Sequence, residues 1–209
     1  MVCGIMTTYF EIKEVDAMSV ILGYQTKDRI IIAADNRTSD ENGKRRSDSE
    51  KKIVVFNEHL CVATAGNRLG YLTLEAIFKQ NNMAEFYMED FARKIAELYK
   101  ESENNSFFKL PINYIMGGSD RNGNCGIIAV DAVNGKLKPT PVTKIIYPPE
   151  GINPQITNRI LDKNIEKYPN NFYLHTIHKV SWKSKYVSHS GDVWIYDIAT
   201  GKSTSEHFS

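Results

Sequence analysis

A chain of 209 residues, 42% hydrophobic and 24% charged, is long enough for one sizeable domain with its own core and is ordinary in composition for a soluble globular protein. Its formal net charge of +1, with both signs mixed along the chain, gives no basis for a nucleic-acid or anionic-membrane partner. No apolar run approaches the ~20 residues needed to span a bilayer, and Glu11, Lys13, Glu14 and Asp16 do not suit a secretory signal. Cys3, Cys61 and Cys125 are odd in number and scattered, as reduced thiols of a cytoplasmic protein are, and Cys61 reads as a small core residue.

Residues 1–17 read as an N-terminal extension or propeptide ahead of a single domain over residues 18–209. Within the extension, Met1 to Phe10 reads as a strand with Lys13 to Asp16 as its turn. Met18 to Tyr24, Arg29 to Asp35, Lys51 to Phe56 and Leu60 to Gly66 are short β-branched runs separated by polar turns, hence two consecutive hairpin-like pairs. Their apolar character on both sides implies a sheet covered on both faces. Between the pairs, Thr38 to Glu50, with Gly43 and the basic run Lys44-Arg45-Arg46, reads as a solvated loop.

Leu69, Leu72 and Ala76 recur at helical spacing, as do Phe91, Ile95 and Leu98. Strands follow over Ile112 to Met116 and Gly126 to Asp131, with Gly117-Gly118 read as a tight turn and Asp120 to Gly123 supplying turn chemistry. Gly117-Gly118 lacks the helix and lysine of a phosphate loop. Val142 to Tyr147 makes a strand that Pro148-Pro149 breaks. Asn153 then caps a helix with Pro154 in its first turn and Ile156 and Ile160 as its stripe. A fourth helix near Phe172 to Tyr186 buries Tyr173, Ile177 and Val180, and the last clear strand is Val193 to Asp197. His59, His175, His178, His189 and His207 do not form a spaced ligand set, so no metal or organic cofactor is expected, and His175 and His178 read as a polar surface pair.

Three polar residues sit at strand edges: Ser19, Asp35 and Lys52. A hydroxyl with a carboxylate and an ammonium alongside is a nucleophile with electrostatic support. Each has a plainer reading, as strand residue, turn acceptor and surface charge, and it is their ordered spacing that joins them. The order Ser19, Ala34-Asp35-Asn36-Arg37, Lys51-Lys52-Ile53 and Ala63-Thr64-Ala65-Gly66, with intervals of 16 and 17 residues, resembles the first half of a proteasome β-type subunit or of the related bacterial ring peptidase. Both are N-terminal-nucleophile (Ntn) hydrolases. The resemblance continues through the strand-turn-strand around Asp120 and through Ser190-Gly191 to Asp197.

The resemblance implies an α+β fold, the four-layer αββα sandwich of the Ntn type, and a threonine/serine-type peptidase acting on peptide or protein substrates. In that scheme Ser19 is the nucleophile and its own α-amino group the base. Lys52 poises the amine, Asp35 holds Lys52, backbone N–H groups of Ala65-Gly66 make the oxyanion site, and Ser190 supports the nucleophile. It also implies a homo-oligomeric ring and, by analogy, an ATPase partner. Ser19 needs residues 1–18 removed, by autolysis at Met18-Ser19 or by translation from Met18 followed by methionine trimming. Two positions depart from the family pattern: Pro149-Glu150-Gly151 replaces a Gly-Ser-Gly turn, and Val187 stands where catalytic subunits have Asp, leaving Ser188 or Asp192 to substitute. The alternative is therefore a catalytically silent ring subunit. A further alternative, a small-molecule amidohydrolase using Cys3, comes from the similarity of Cys3-Gly4-Ile5 to the start of class II glutamine amidotransferases.

Overall fold

The computed structural model describes residues 19–39, 44–66, 69–80, 82–101, 112–133 and 136–209; the strand expected over Met1 to Phe10, and Cys3 with it, lie outside them. In chain order the strands are β1 (Ile21–Gln25), β2 (Arg29–Asp35), β3 (Thr38–Ser39), β4 (Arg45–Ser47), β5 (Ile53–Asn57), β6 (Leu60–Gly66), β7 (Ile112–Ser119), β8 (Cys125–Val133), β9 (Lys136–Val142), β10 (Lys144–Tyr147), β11 (Gly191–Asp197) and β12 (Lys202–Phe208). The helices are α1 (Leu69–Gln80), α2 (Met88–Glu101), α3 (Pro154–Lys167) and α4 (Phe172–Ser181). The fold is α+β. Among the described residues no helix is long and apolar enough to cross a membrane.

One five-stranded sheet has the order β10-β1-β2-β11-β12 and the other β5-β6-β7-β8-β9, with every neighbouring pair antiparallel. The two hairpins read from the sequence thus fall in different sheets. Strand alternation explains why their runs lack a polar face. Val20, Leu22, Ile31 and Ala33 pack with Leu161, Phe172, Ile177 and Val180 of α3 and α4. The alternate residues Ile21, Ile30, Ile32 and Ala34 share a cluster with Cys61, Ala63, Ile115 and Ile127 of the other sheet. Leu60, Val62, Tyr114 and Met116 face Leu74, Ile77, Phe91 and Ile95 of α1 and α2.

Several expectations need correction. Gly117 and Gly118 are not a turn but lie inside β7, paired with Cys61 and Leu60 on one side and Ile127 and Gly126 on the other; the turn is at Asp120, whose Oδ1 accepts the amides of Asn122 and Asn124. Arg45 belongs to a short ribbon, β4 against β3, although Arg45 and Arg46 remain exposed. The strand expected from Val142 to Tyr147 is two, β9 ending at Val142 and β10 starting at Lys144. The apolar stripes of two helices sit one residue off. On α1 the buried residues among those described are Gly70, Thr73, Leu74 and Ile77, while Leu72 and Ala76 are exposed. On α3 they are Thr157, Leu161 and Asn164; Ile156 faces out, while Ile160 is partly buried against the core cluster as expected. Asn164 is inward because its Nδ2 donates to Thr176 Oγ1 at 3.1 Å and its Oδ1 accepts from Lys179 Nζ at 3.1 Å. Helix α4 stops at Ser181, beyond which Trp182 is exposed, and its Tyr173, Ile177 and Val180 face is buried as expected. Asn153 does cap α3, its Oδ1 accepting the Gln155 amide at 2.8 Å. His175 stacks on Tyr168, and His178 meets His189 edge to face.

Candidate active site

The site begins where β2 ends. Asp35 is fully buried, and its carboxylate accepts four hydrogen bonds. Oδ1 accepts from Lys52 Nζ at 2.7 Å and from the Val20 amide at 3.0 Å. Oδ2 accepts from the amides of Arg37 at 2.9 Å and Ser188 at 3.1 Å. A carboxylate can be kept charged in an apolar interior only with this degree of satisfaction. Lys52, 6% exposed, precedes β5 and therefore belongs to the other sheet, where its carbonyl accepts the Thr64 amide at 3.0 Å. Burial pushes the Lys52 ammonium below its ordinary value, and the Asp35 carboxylate opposes that shift.

Ser19, 6% exposed, is the residue immediately ahead of the Val20 amide held by Asp35. The Asp35 amide in turn donates to Val20 O at 3.2 Å, so the start of β1 is fixed from both directions. Gly66 ends β6 with φ of 103°. Since Ile53 is opposite Ala63, Gly66 lies on the strand next to Lys52 and about 7 Å along it from the Thr64 amide that Lys52 binds.

Ser190 immediately precedes Gly191, the β-partner of Asp35. Ser190 Oγ donates to Asp48 O at 3.4 Å, and its carbonyl accepts from Asn36 N–H and from Ser188 Oγ. It therefore secures the backbone beside Asp35. Val187 is 1% exposed within the apolar cluster under α3 and α4. Of the two substitutes considered for it, Ser188 contributes its amide to Asp35 while its Oγ accepts from the Asn36 amide at 3.0 Å. Asp192 accepts from Asn36 Nδ2 at 2.8 Å and pairs with His207 Nδ1 at 2.9 Å.

The sequence reading missed Asp48. Arg37 Nε and Nη2 bind its two oxygens at 2.7 and 3.0 Å, Arg37 Nη1 donates to Lys185 O at 3.0 Å, and Arg45 Nε is 3.2 Å from Asp48 Oδ2. This fork locks the segment 184–190, and with it the Ser188 amide, onto the end of β2. Only the position of Arg37 two residues past Asp35 hints at it; Asp48 is one charge among many in a polar stretch. The Arg37 hydrogen bonds hold the Asp48 carboxyl below its ordinary value and raise the Arg37 guanidinium. Lysine cannot reproduce a bidentate fork. Arg37→Lys is expected to lower unfolding free energy in urea by about 1–2 kcal/mol at neutral pH. Because the folded Asp48 value is the depressed one, that advantage of the wild type is full above the ordinary carboxyl value of ~4 and is lost as pH falls through the folded value. A difference that persists unchanged in acid would show that charge at Asp48 plays no part.

Residues 17–141 match the family model described as proteasome subunit. That stretch is more than half of the chain and includes Ser19, Asp35, Lys52 and Gly66. The chain belongs to the proteasome subunit family. Among curated proteins none matches it. Members of the proteasome family typically assemble into oligomeric rings. In this proteasome subunit relative the matched stretch ends before Pro149-Glu150-Gly151 and Val187, so the two family departures lie beyond it.

Proposed function

We propose that this proteasome-family chain is a serine-type Ntn peptidase whose nucleophile is Ser19 after removal of residues 1–18. The observation that carries the reading is the Asp35 carboxylate, which holds the Lys52 ammonium and the backbone at Val20 on its Oδ1 atom. With the α-amine free, at an ordinary value near ~8, it takes the Ser19 hydroxyl proton as Oγ bonds to the substrate carbonyl carbon. The oxygen of that carbonyl gains charge toward the Ala65-Gly66 amides. The proton passes to the departing amine as the C–N bond breaks, and water then hydrolyses the ester on Ser19 by the same base. Lys52 favours the neutral form of the amine, and Asp35 holds Lys52 in place. Within this proposal, residues 18–209 form one domain with the layering of an αββα sandwich, residues 1–17 are an N-terminal extension lost together with Met18, and copies associate in a ring in the cytoplasm to act on peptides or proteins. An ATPase partner is a matter of family analogy.

The test is the intact mass and N-terminal sequence of the protein from its native host, followed by labelling with an acylating β-lactone. A chain starting at Ser19, labelled there, with peptide hydrolysis lost in Ser19→Ala, is the expected result. An unprocessed chain that hydrolyses nothing would instead favour a silent ring subunit. The observation favouring that second reading is Val187, an apolar core residue where a supporting carboxylate stands in catalytic relatives.

A further inference from the structure

The Asp35–Lys52 pair joins the two sheets, since β2 belongs to one and the residues leading into β5 to the other. A second polar contact joins them elsewhere. Tyr147, ending β10, donates its hydroxyl to Asp131 Oδ1 of β8 at 2.5 Å. Both side chains point into the space between the sheets: Tyr147 packs against the cluster shared by the sheets, and Asp131 alternates onto the same face of β8 as Ile127, a member of that cluster.

Register locates this contact at the end of the inter-sheet space that carries the candidate site. Tyr147 is opposite Ile21, two residues past Ser19. Asp131 is opposite Asn113, which is opposite Ala65, so Asp131 stands about 10 Å from Ala65 across two strand spacings. Strand β1 lies between β2 and β10. Strand β1, which Ser19 leads into, therefore has a cross-sheet tie on either side of it, Asp35–Lys52 through β2 and Tyr147–Asp131 through β10. The sheets are already packed through their shared apolar cluster, and Gln25 Nε2 at the far end of β1 donates to Cys125 O of β8 at 3.2 Å; the Tyr147–Asp131 bond adds a directional constraint at the Ser19 end of β1. The tie is a hydroxyl on a half-buried carboxylate, the stronger kind of neutral-donor hydrogen bond. Burial, followed by the Asp131 carboxylate, pushes the Tyr147 phenol far above its ordinary value, so the donor keeps its proton.

We propose that Tyr147 and Asp131 are positioning residues: their hydrogen bond holds the start of β1, with Ser19, at the distance from the end of β6, with the Gly66 amide, that attack on a carbonyl held by that amide requires. The catalytic part of this rests on Ser19 being the nucleophile; the mechanical part does not.

The test uses the processed full-length protein with Tyr147→Phe and Asp131→Asn. Tyr147→Phe is expected to lower kcat for peptide hydrolysis ~10-fold with KM within about twofold, because misplacement of reacting groups acts on the chemical step. Asp131→Asn keeps an acceptor for the phenol and is expected to retain most of kcat, and Asp131→Ala added to Tyr147→Phe is expected to lower it no further. In Tyr147→Phe, amide hydrogen exchange at residues 20–22 and 65–66 is expected to quicken ~10-fold, with β11 and β12 unchanged. Unchanged exchange at both segments overturns the proposal whatever the turnover does, and faster exchange with wild-type kcat overturns the positioning role. Hydrolysis that survives Ser19→Ala removes the nucleophile reading instead, and exchange alone then decides the clasp. Asp131→Leu, which removes the acceptor in place of the donor, gives the same readouts should Tyr147→Phe fail to fold.

Discussion

Asp35→Ala is expected to lower the unfolding free energy by about 3–5 kcal/mol, and Lys52→Met by clearly less. Removing the carboxylate leaves a buried ammonium without its counter-charge and strips the amides of Val20, Arg37 and Ser188 of their acceptor at one stroke. Each orphaned group carries a desolvation cost that the apolar surroundings cannot offset. Lys52→Met removes one donor of four, and the three amides still solvate the charge; the methionine also refills the volume of the lysine stem. The two changes share one network, so the double variant is expected to lose less than the sum of the singles. Urea titration with matching slopes settles the order. Equal costs for the two single variants would mean that the amide bonds to Asp35 contribute nothing.

The second large effect is expected at Gly191. This residue pairs with Asp35 on one side and Phe208 on the other. A β-carbon there would lie 2.3 Å from the Ala34 carbonyl oxygen and 2.4 Å from Phe208 Cζ. The ring can swing aside, but the carbonyl is part of the β2 backbone, so Gly191→Ala must push β11 away from β2 where Ser188 reaches Asp35. The loss is expected to be about 3 kcal/mol, at the upper end for an added methyl group in a packed interior. Phe208→Ala is expected not to restore it, since the backbone clash remains. A Gly191→Ala protein unfolding at the wild-type urea midpoint would show that the strands separate at no cost.

Strands with little polar surface were legible because burial leaves an apolar run: β2 and β6 can be read to the residue, and β1 and β5 to within two or three residues at their starts. Strands whose identity comes from a neighbour could not be read. Strand β9, Lys-Leu-Lys-Pro-Thr-Pro-Val, has the composition of a loop and is a strand because β8 pairs with it along its whole length. Its lysines and prolines are what a sheet edge uses to refuse further pairing. Strand β12, polar and mostly exposed, is at the other sheet's edge. The one-residue errors on α1 and α3 share a cause: counting apolar side chains overlooks Thr73, Thr157 and Asn164, polar residues that face inward.

At the candidate site the same division holds. Ser19, Asp35 and Lys52 were legible as an ordered set of chemical types, and Asp35 and Lys52 do meet. What completes Asp35 was not legible, because its three remaining donors, at Val20, Arg37 and Ser188, are all backbone amides, which every residue but proline carries. The Tyr147–Asp131 contact was equally silent in the sequence, being set by the register of two different sheets.

The donors that converge on Asp35 also arrive at very different times. Val20, Arg37 and Lys52 lie within 17 residues of it along the chain, but Ser188 is 153 residues away. Closing so long a loop is slow, and during synthesis the N-terminal part leaves the ribosome well before the C-terminal part exists. A nascent chain that has not yet reached residue 188 therefore holds an incomplete centre. Residue 188 must have been made and brought to the end of β2 before the fourth donor to Asp35 is in place.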